Sequence, residues 1–118
     1  MRMFVEVSAV YLHREPVDFR KAVDGLAAIV EGAMGHSPFS GAVFVFCNRG
    51  RDKLKILYWD ASGFALWYKR LEQAKFHWPR RAPESVMELS EQQLQWLLSG
   101  YDITRMQPHA RVHYSQVL

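Results

Sequence analysis

The chain has 118 residues and a formal net charge of +3. That length allows one ordinary domain and excludes two. A single cysteine, Cys47, excludes an intrachain disulfide and thiolate-rich zinc sites. No stretch approaches the roughly 20 apolar residues of a membrane span, and the opening Met-Arg-Met-Phe-Val-Glu has no signal-like apolar core. The expected setting is the cytoplasm, with no membrane partner.

In chain order, Val7 to Leu12 is a short apolar run that predicts an entering strand. Pro16 closes it, and Asp18 is placed to cap a helix. Phe19, Ala22, Val23, Leu26, Ile29, Val30 and Ala33 recur at helical spacing and predict a helix over 19–34 with one apolar stripe. Gly35 is its expected terminator, and Ser37-Pro38 leads into a turn. Three strands should follow: Ala42 to Cys47, Leu54 to Trp59 and Phe64 to Leu71. The loop from Asn48 to Lys53 and the turn Asp60-Ala61-Ser62-Gly63 are too short for a crossover, so these strands are antiparallel neighbours. Cys47, within an apolar run, reads as a small buried hydrophobe. A fourth strand is expected from Lys75 to Trp78, ending at Pro79. Ser90 and Gln93 have the spacing of a capping box, with Leu94, Leu97 and Leu98 on the buried face of a short helix and Gly100 as its stop. The fold class is therefore α+β: an antiparallel β-meander packed against an N-terminal helix, with a short C-terminal helix. One domain spans 1–107, and 108–118 is expected to be a flexible or extended tail.

Charge is unevenly distributed. Residues 48–81 carry nine basic and three acidic side chains, whereas the segments on either side are neutral or acidic. Arg49, Arg51, Lys53 and Lys55 lie in or beside the first hairpin loop, Lys69 and Arg70 end the third strand, and Lys75, Arg80 and Arg81 surround the fourth. Arg49, Arg51, Lys53, Lys55, Lys69, Arg70 and Lys75 are the candidates for contact with nucleic-acid phosphates or with an acidic partner surface. Trp59, Trp67, Tyr68 and Trp78 are aromatics that serve either such contacts or the core; for Trp59 and Phe64, flanking the turn, the core is favoured.

Catalytic patterns are sparse. The glycines have neither the spacing of a dinucleotide loop nor that of a phosphate-binding loop. His109 and His113 are four residues apart but lie in a weakly helical terminal stretch and read as ordinary polar residues. Asp18, Asp24, Asp60 and Glu72 are the carboxylates a metal-dependent nuclease would draw on. Each also has a structural reading, as a cap, in a turn or beside a basic partner. No cofactor, metal or small-molecule substrate is expected.

The stretches DFRKAVDGLAAIV (18–30), PFSGAVFVFCNRGRDKLKILYWDASGFALWYKRLE (38–72) and KFHWP (75–79), with a weaker LSEQQLQWLLSGYD (89–102), cover most of the chain. In that order they resemble the TnpB, or second-open-reading-frame, accessory protein of the bacterial insertion-sequence family numbered 66. The family pattern falls on Asp18, Arg20, Asp24, Gly25, Leu26, Pro38, Phe39, Ser40, Gly41, Phe46, Asn48 and Arg49. It continues through Lys55, Trp59, Asp60, Gly63, Phe64, Tyr68, Lys69, Arg70, Leu71, Glu72, Phe76, Trp78 and Pro79. Gly50 stands where the family often has a further basic residue, Ala74 replaces a usual glycine, and Tyr101 to Thr104 keep part of the usual ending. The resemblance implies a bacterial accessory protein of DNA transposition. It would act through the cognate transposase, the element's DNA or both, with DNA binding weak or non-specific by itself and without its own catalysis. The alternative is a metal-dependent nuclease-like enzyme using clustered carboxylates.

Overall fold

The computed structural model describes residues 8–106; the tail expected over 108–118 lies outside them. In chain order the elements are β1 (Val10–His13), α1 (Val23–Glu31), β2 (Val43–Cys47), β3 (Lys53–Asp60), β4 (Gly63–Arg70), β5 (Val86–Leu89) and α2 (Glu91–Leu98). Two short hairpins make β2, β3 and β4 the expected antiparallel meander, with Phe44 opposite Leu57 and Ile56 opposite Trp67. The remaining strands extend it to a five-stranded sheet of order β4-β3-β2-β1-β5. β1 runs parallel to β2, Val10 opposite Val43, so the chain between them must cross over, and α1 lies on that crossover. β5 closes the far edge antiparallel to β1, with Leu12 opposite Met87.

All five residues of β2 are buried, which requires cover on both faces of the sheet. On one face Phe44, Phe46 and Leu57 pack with Leu26, Val30 and Met34. On the other, Val43, Val45, Cys47, Leu54 and Ile56 pack with Phe76, Trp78, Leu94 and Leu97. The sheet thus sits between α1 and a second layer made of α2 and the segment 76–78. Among the described residues no helix is long and apolar enough to cross a membrane.

Two expected elements differ. The helix read over 19–34 is confined to Val23–Glu31, and its N-cap, Ala22, offers no side-chain cap. Asp18 makes a turn instead: its Oδ1 accepts from Arg20 N at 2.9 Å and its carbonyl from Lys21 N at 3.0 Å. Ala33, assigned to the buried stripe, is exposed beyond the helix end. The fourth strand is not Lys75–Trp78 but Val86–Leu89. Phe76 and Trp78 are buried as a strand's inward residues would be, yet Trp78 N donates to Phe76 O and Arg80 N to Trp78 O, the bonds of tight turns. The second helix follows expectation: Ser90 Oγ accepts from Gln93 N at 3.0 Å, and Gln93 Oε1 accepts from Ser90 N at 2.8 Å. Gly100, at φ 94°, takes the left-handed position just past its C-cap Ser99.

Candidate functional site

Three loops meet at the end of the sheet where β1 and β2 finish and β3 begins. Val17 N donates to Cys47 O at 2.9 Å, so the chain after β1 runs beside the end of β2. Asn48 shapes the β2–β3 hairpin: its Nδ2 donates to Asp52 Oδ1 at 2.7 Å and its Oδ1 accepts from Lys53 N at 3.0 Å. Arg51 O accepts from Phe76 N at 2.7 Å and Asp52 O from Leu71 N at 2.7 Å, which ties the chain after β4 to the hairpin. Trp78 Nε1 closes the circle by donating to Arg14 O at 2.8 Å.

The seven candidate cations divide between this end and the interior. Arg49 and Lys75 are exposed and Arg51 and Lys53 half-buried. None of these four makes a hydrogen bond or ion pair through its side chain among the described residues. Arg70 is exposed and pairs with Glu72 at 2.8 Å. Lys55 and Lys69 have structural roles. Lys55 is buried; its Nζ donates to Phe19 O and Lys21 O, both at 2.9 Å, and lies 4.8 Å from the Phe19 ring centroid. Burial lowers its pKa from the usual lysine value. Lys69 Nζ donates to Leu98 O at 3.1 Å, meeting a terminal carbonyl of α2. Lys55 pairs with Tyr68 and Leu54 with Lys69, so the two lysines are on neighbouring strands but opposite faces.

Most family-pattern residues also build the fold. Asp18 and Arg20 form an exposed ion pair at 2.6 Å, and the hydrogen bond from Arg20 holds the Asp18 carboxyl at about 2. Gly25 permits close packing, since a Cβ there would lie 3.0 Å from Lys21 Cβ. Pro38 is buried, Ser40 Oγ accepts from Ala42 N at 3.2 Å, and Gly41 has φ 83°. Asp60 and Gly63 pair across the β3–β4 turn. Phe39, Trp59 and Phe64 form an aromatic cluster with centroids 5.0 to 5.3 Å apart at this end of β3. Trp59 and Phe64 are half-buried and Phe39 is 58% exposed. Tyr68 is exposed beside Phe19, while Trp78 and Pro79 are buried.

The four candidate carboxylates stand at separate places. Asp18 and Glu72 are each held by an arginine, Asp24 is in the first turn of α1, and Asp60 ends β3. Among the described residues no three His, Cys, Asp or Glu side chains form a group that could hold a metal ion. Burial pushes the Cys47 thiol up to about 12, so it is a protonated core residue at neutral pH.

Two residues not among the seven candidates belong to the basic end. Arg14, Arg49, Arg51 and Arg80 line one small cleft with Pro16, Asn48 and Trp78. Arg80 had a visible signal in the basic segment; Arg14 had none, because its place depends on β1 pairing with β2.

The family model described as IS66 Orf2 like protein matches residues 8–108. The uncharacterized protein y4jC of Sinorhizobium fredii is 38% identical over 92 residues, covering 78% of this chain and 78% of its own. The uncharacterized protein y4hO of the same organism is 36% identical over 85 residues, covering 72% and 73%. No solved structure matches. With the match spanning all the described residues, the chain belongs to the TnpB family of IS66 Orf2-like accessory proteins of insertion sequences.

Proposed function

We propose that the protein serves transposition by binding rather than by chemistry, in the bacterial cytoplasm. It holds nucleic-acid phosphates at the basic end of its sheet and presents that nucleic acid to the cognate transposase. The observation that carries this reading is the gathering of Arg49, Arg51 and Lys75 on adjoining loops, with Lys53 beside them at the start of β3, their side chains making no hydrogen bond or ion pair among the described residues. Cations so placed attract a polyanion and release its counterions on contact. The contacts expected here are to phosphates, which carry no base sequence, so sequence preference by the protein alone is weak.

The test is a titration of labelled duplex and single-stranded DNA with wild-type protein and with Arg49, Arg51 and Lys53 changed together to Ala. A pull-down of the transposase with and without element-end DNA accompanies it. The expected result is low-salt DNA binding that the triple variant loses, and transposase capture that DNA strengthens. Charge-dependent capture of the transposase by a protein that binds neither DNA would mean that these side chains dock on an acidic protein surface.

A further inference from the structure

Within the basic end, one feature is more definite than a charged patch. Arg14, Arg49, Arg51 and Arg80 surround a cleft of about 100 Å³, closed by Pro16, Asn48 and Trp78. The cleft is far below the roughly 300 Å³ at which small-molecule pockets begin. It equals the share of about three waters in the liquid, which suits one compact oxyanion. No carboxylate lines it. Among the described residues two acidic side chains are paired with lining residues, and neither lines the cleft itself: Glu15, exposed and 2.9 Å from Arg14 Nη1, and Asp52, whose Oδ1 accepts from Asn48 Nδ2 at 2.7 Å.

Arg14 and the backbone around the cleft are tied in place by hydrogen bonds. Arg14 Nε donates to Glu84 O at 3.0 Å and its Nη1 to Arg80 O at 3.2 Å, which holds the segment around Arg80 against the end of β1. Trp78 Nε1 donates to Arg14 O, and Phe76 N to Arg51 O. Arg51 itself has φ 60°, a left-handed conformation that residues with side chains avoid, although Gly50 stands next to it. Unfavourable backbone geometry persists where the surroundings impose it, and it concentrates at binding sites.

Resting on the nucleic-acid reading above, we infer that this cleft is a seat for one phosphodiester group of a nucleic-acid backbone, with Arg51 held in its left-handed conformation to complete it. Guanidinium forks match phosphate oxygens in pairs, which lysines cannot do. Lys53, at the start of β3, and Lys75 and Arg81, on the chain after β4, continue the positive surface. A polymer of phosphates uses that continuation, whereas an isolated anion does not.

Arg51→Gly is the sharpest test, because glycine suits the left-handed backbone there while the whole side chain, guanidinium included, is removed. Arg80→Ala, at an exposed position, is the second variant. Affinity for a short labelled DNA duplex is measured by anisotropy over a range of salt, with a labelled poly-glutamate peptide as the competing acidic chemistry. Both variants should keep the wild-type circular dichroism, and neither should lower the urea midpoint. Each should bind duplex about tenfold more weakly, the effect of losing one charge-assisted contact. The slope of log affinity against log salt should fall by about one. Duplex binding equal to wild type in both variants, with loss only in a Lys53→Ala/Lys75→Ala protein, would overturn the seat while leaving nucleic-acid binding in place. Equal affinity and equal Arg51 sensitivity toward poly-glutamate would assign the cleft to acidic protein. Absence of any wild-type binding to duplex and to single-stranded DNA alike would overturn both readings.

Discussion

Lys55 brings a formal charge to a site only 9% exposed, and two backbone carbonyls ahead of α1 receive it. A buried charge stays ionised only where hydrogen bonds replace water, so this lysine is a strut between β3 and the turn at 18–21. Lys55→Met keeps most of the side chain's volume but leaves both carbonyls without their donor. It should lower stability in urea melts by about 1–3 kcal/mol; a change within about 0.5 kcal/mol would show the strut to be dispensable. Asp18 gives a pH signature. Its carboxyl titrates at about 2 rather than 3.8 because of the hydrogen bond from Arg20. A depressed folded pKa means the pair contributes fully above 3.8, and its contribution disappears as pH falls from there through about 2. An NMR titration should find that low value, and Arg20→Ala should return it toward 3.8. Because the pair is exposed, the global melting point should hardly respond.

At the scale of elements, α1 contributes through few residues. Leu26 and Val30 are its fully buried side chains, packed with Phe44, Phe46 and Leu57. Leu26→Ala should cost about 2–5 kcal/mol in denaturant melts, and an unchanged midpoint would detach α1 from that core. The hairpins joining β2, β3 and β4 were legible because their turn residues lie between the strands they join. β1 beside β2 was not, since parallel pairing depends on a crossover and leaves no local signal. Lys75–Trp78 misled because Phe76 and Trp78 alternate as buried strand residues do, while the backbone bonds go to Arg51 and to a tight turn. The helix over 19–34 was drawn too long at both ends. Asp18 and Arg20 bind each other in a turn, and Ala33 follows the helix.

Across the whole molecule, the hairpin cations and the Phe39–Trp59–Phe64 aromatic cluster lie toward opposite ends of β3. Arg49, Arg51 and Lys53 lie at its start, and Trp59, with Phe39 and Phe64, lies at its end. Six residue steps along the strand take Lys53 to Trp59, roughly 20 Å. The basic hairpin could be read from the sequence because its charges fall at alternate positions within one short segment, 49–55. Lys55 and Lys69 could not be separated from it, since burial and the face of a strand depend on partners distant in sequence. Arg14 joins it only through the folded sheet. The central claim, that nucleic acid is held at the basic end, is tested most directly by mapping amide chemical shifts of labelled protein during titration with duplex DNA at low salt. The largest changes should fall at 14–17, 48–53 and 75–80, and the amides of Phe39, Trp59 and Phe64 should stay unmoved. Changes centred on that aromatic cluster, with the arginine loops silent, would contradict the claim.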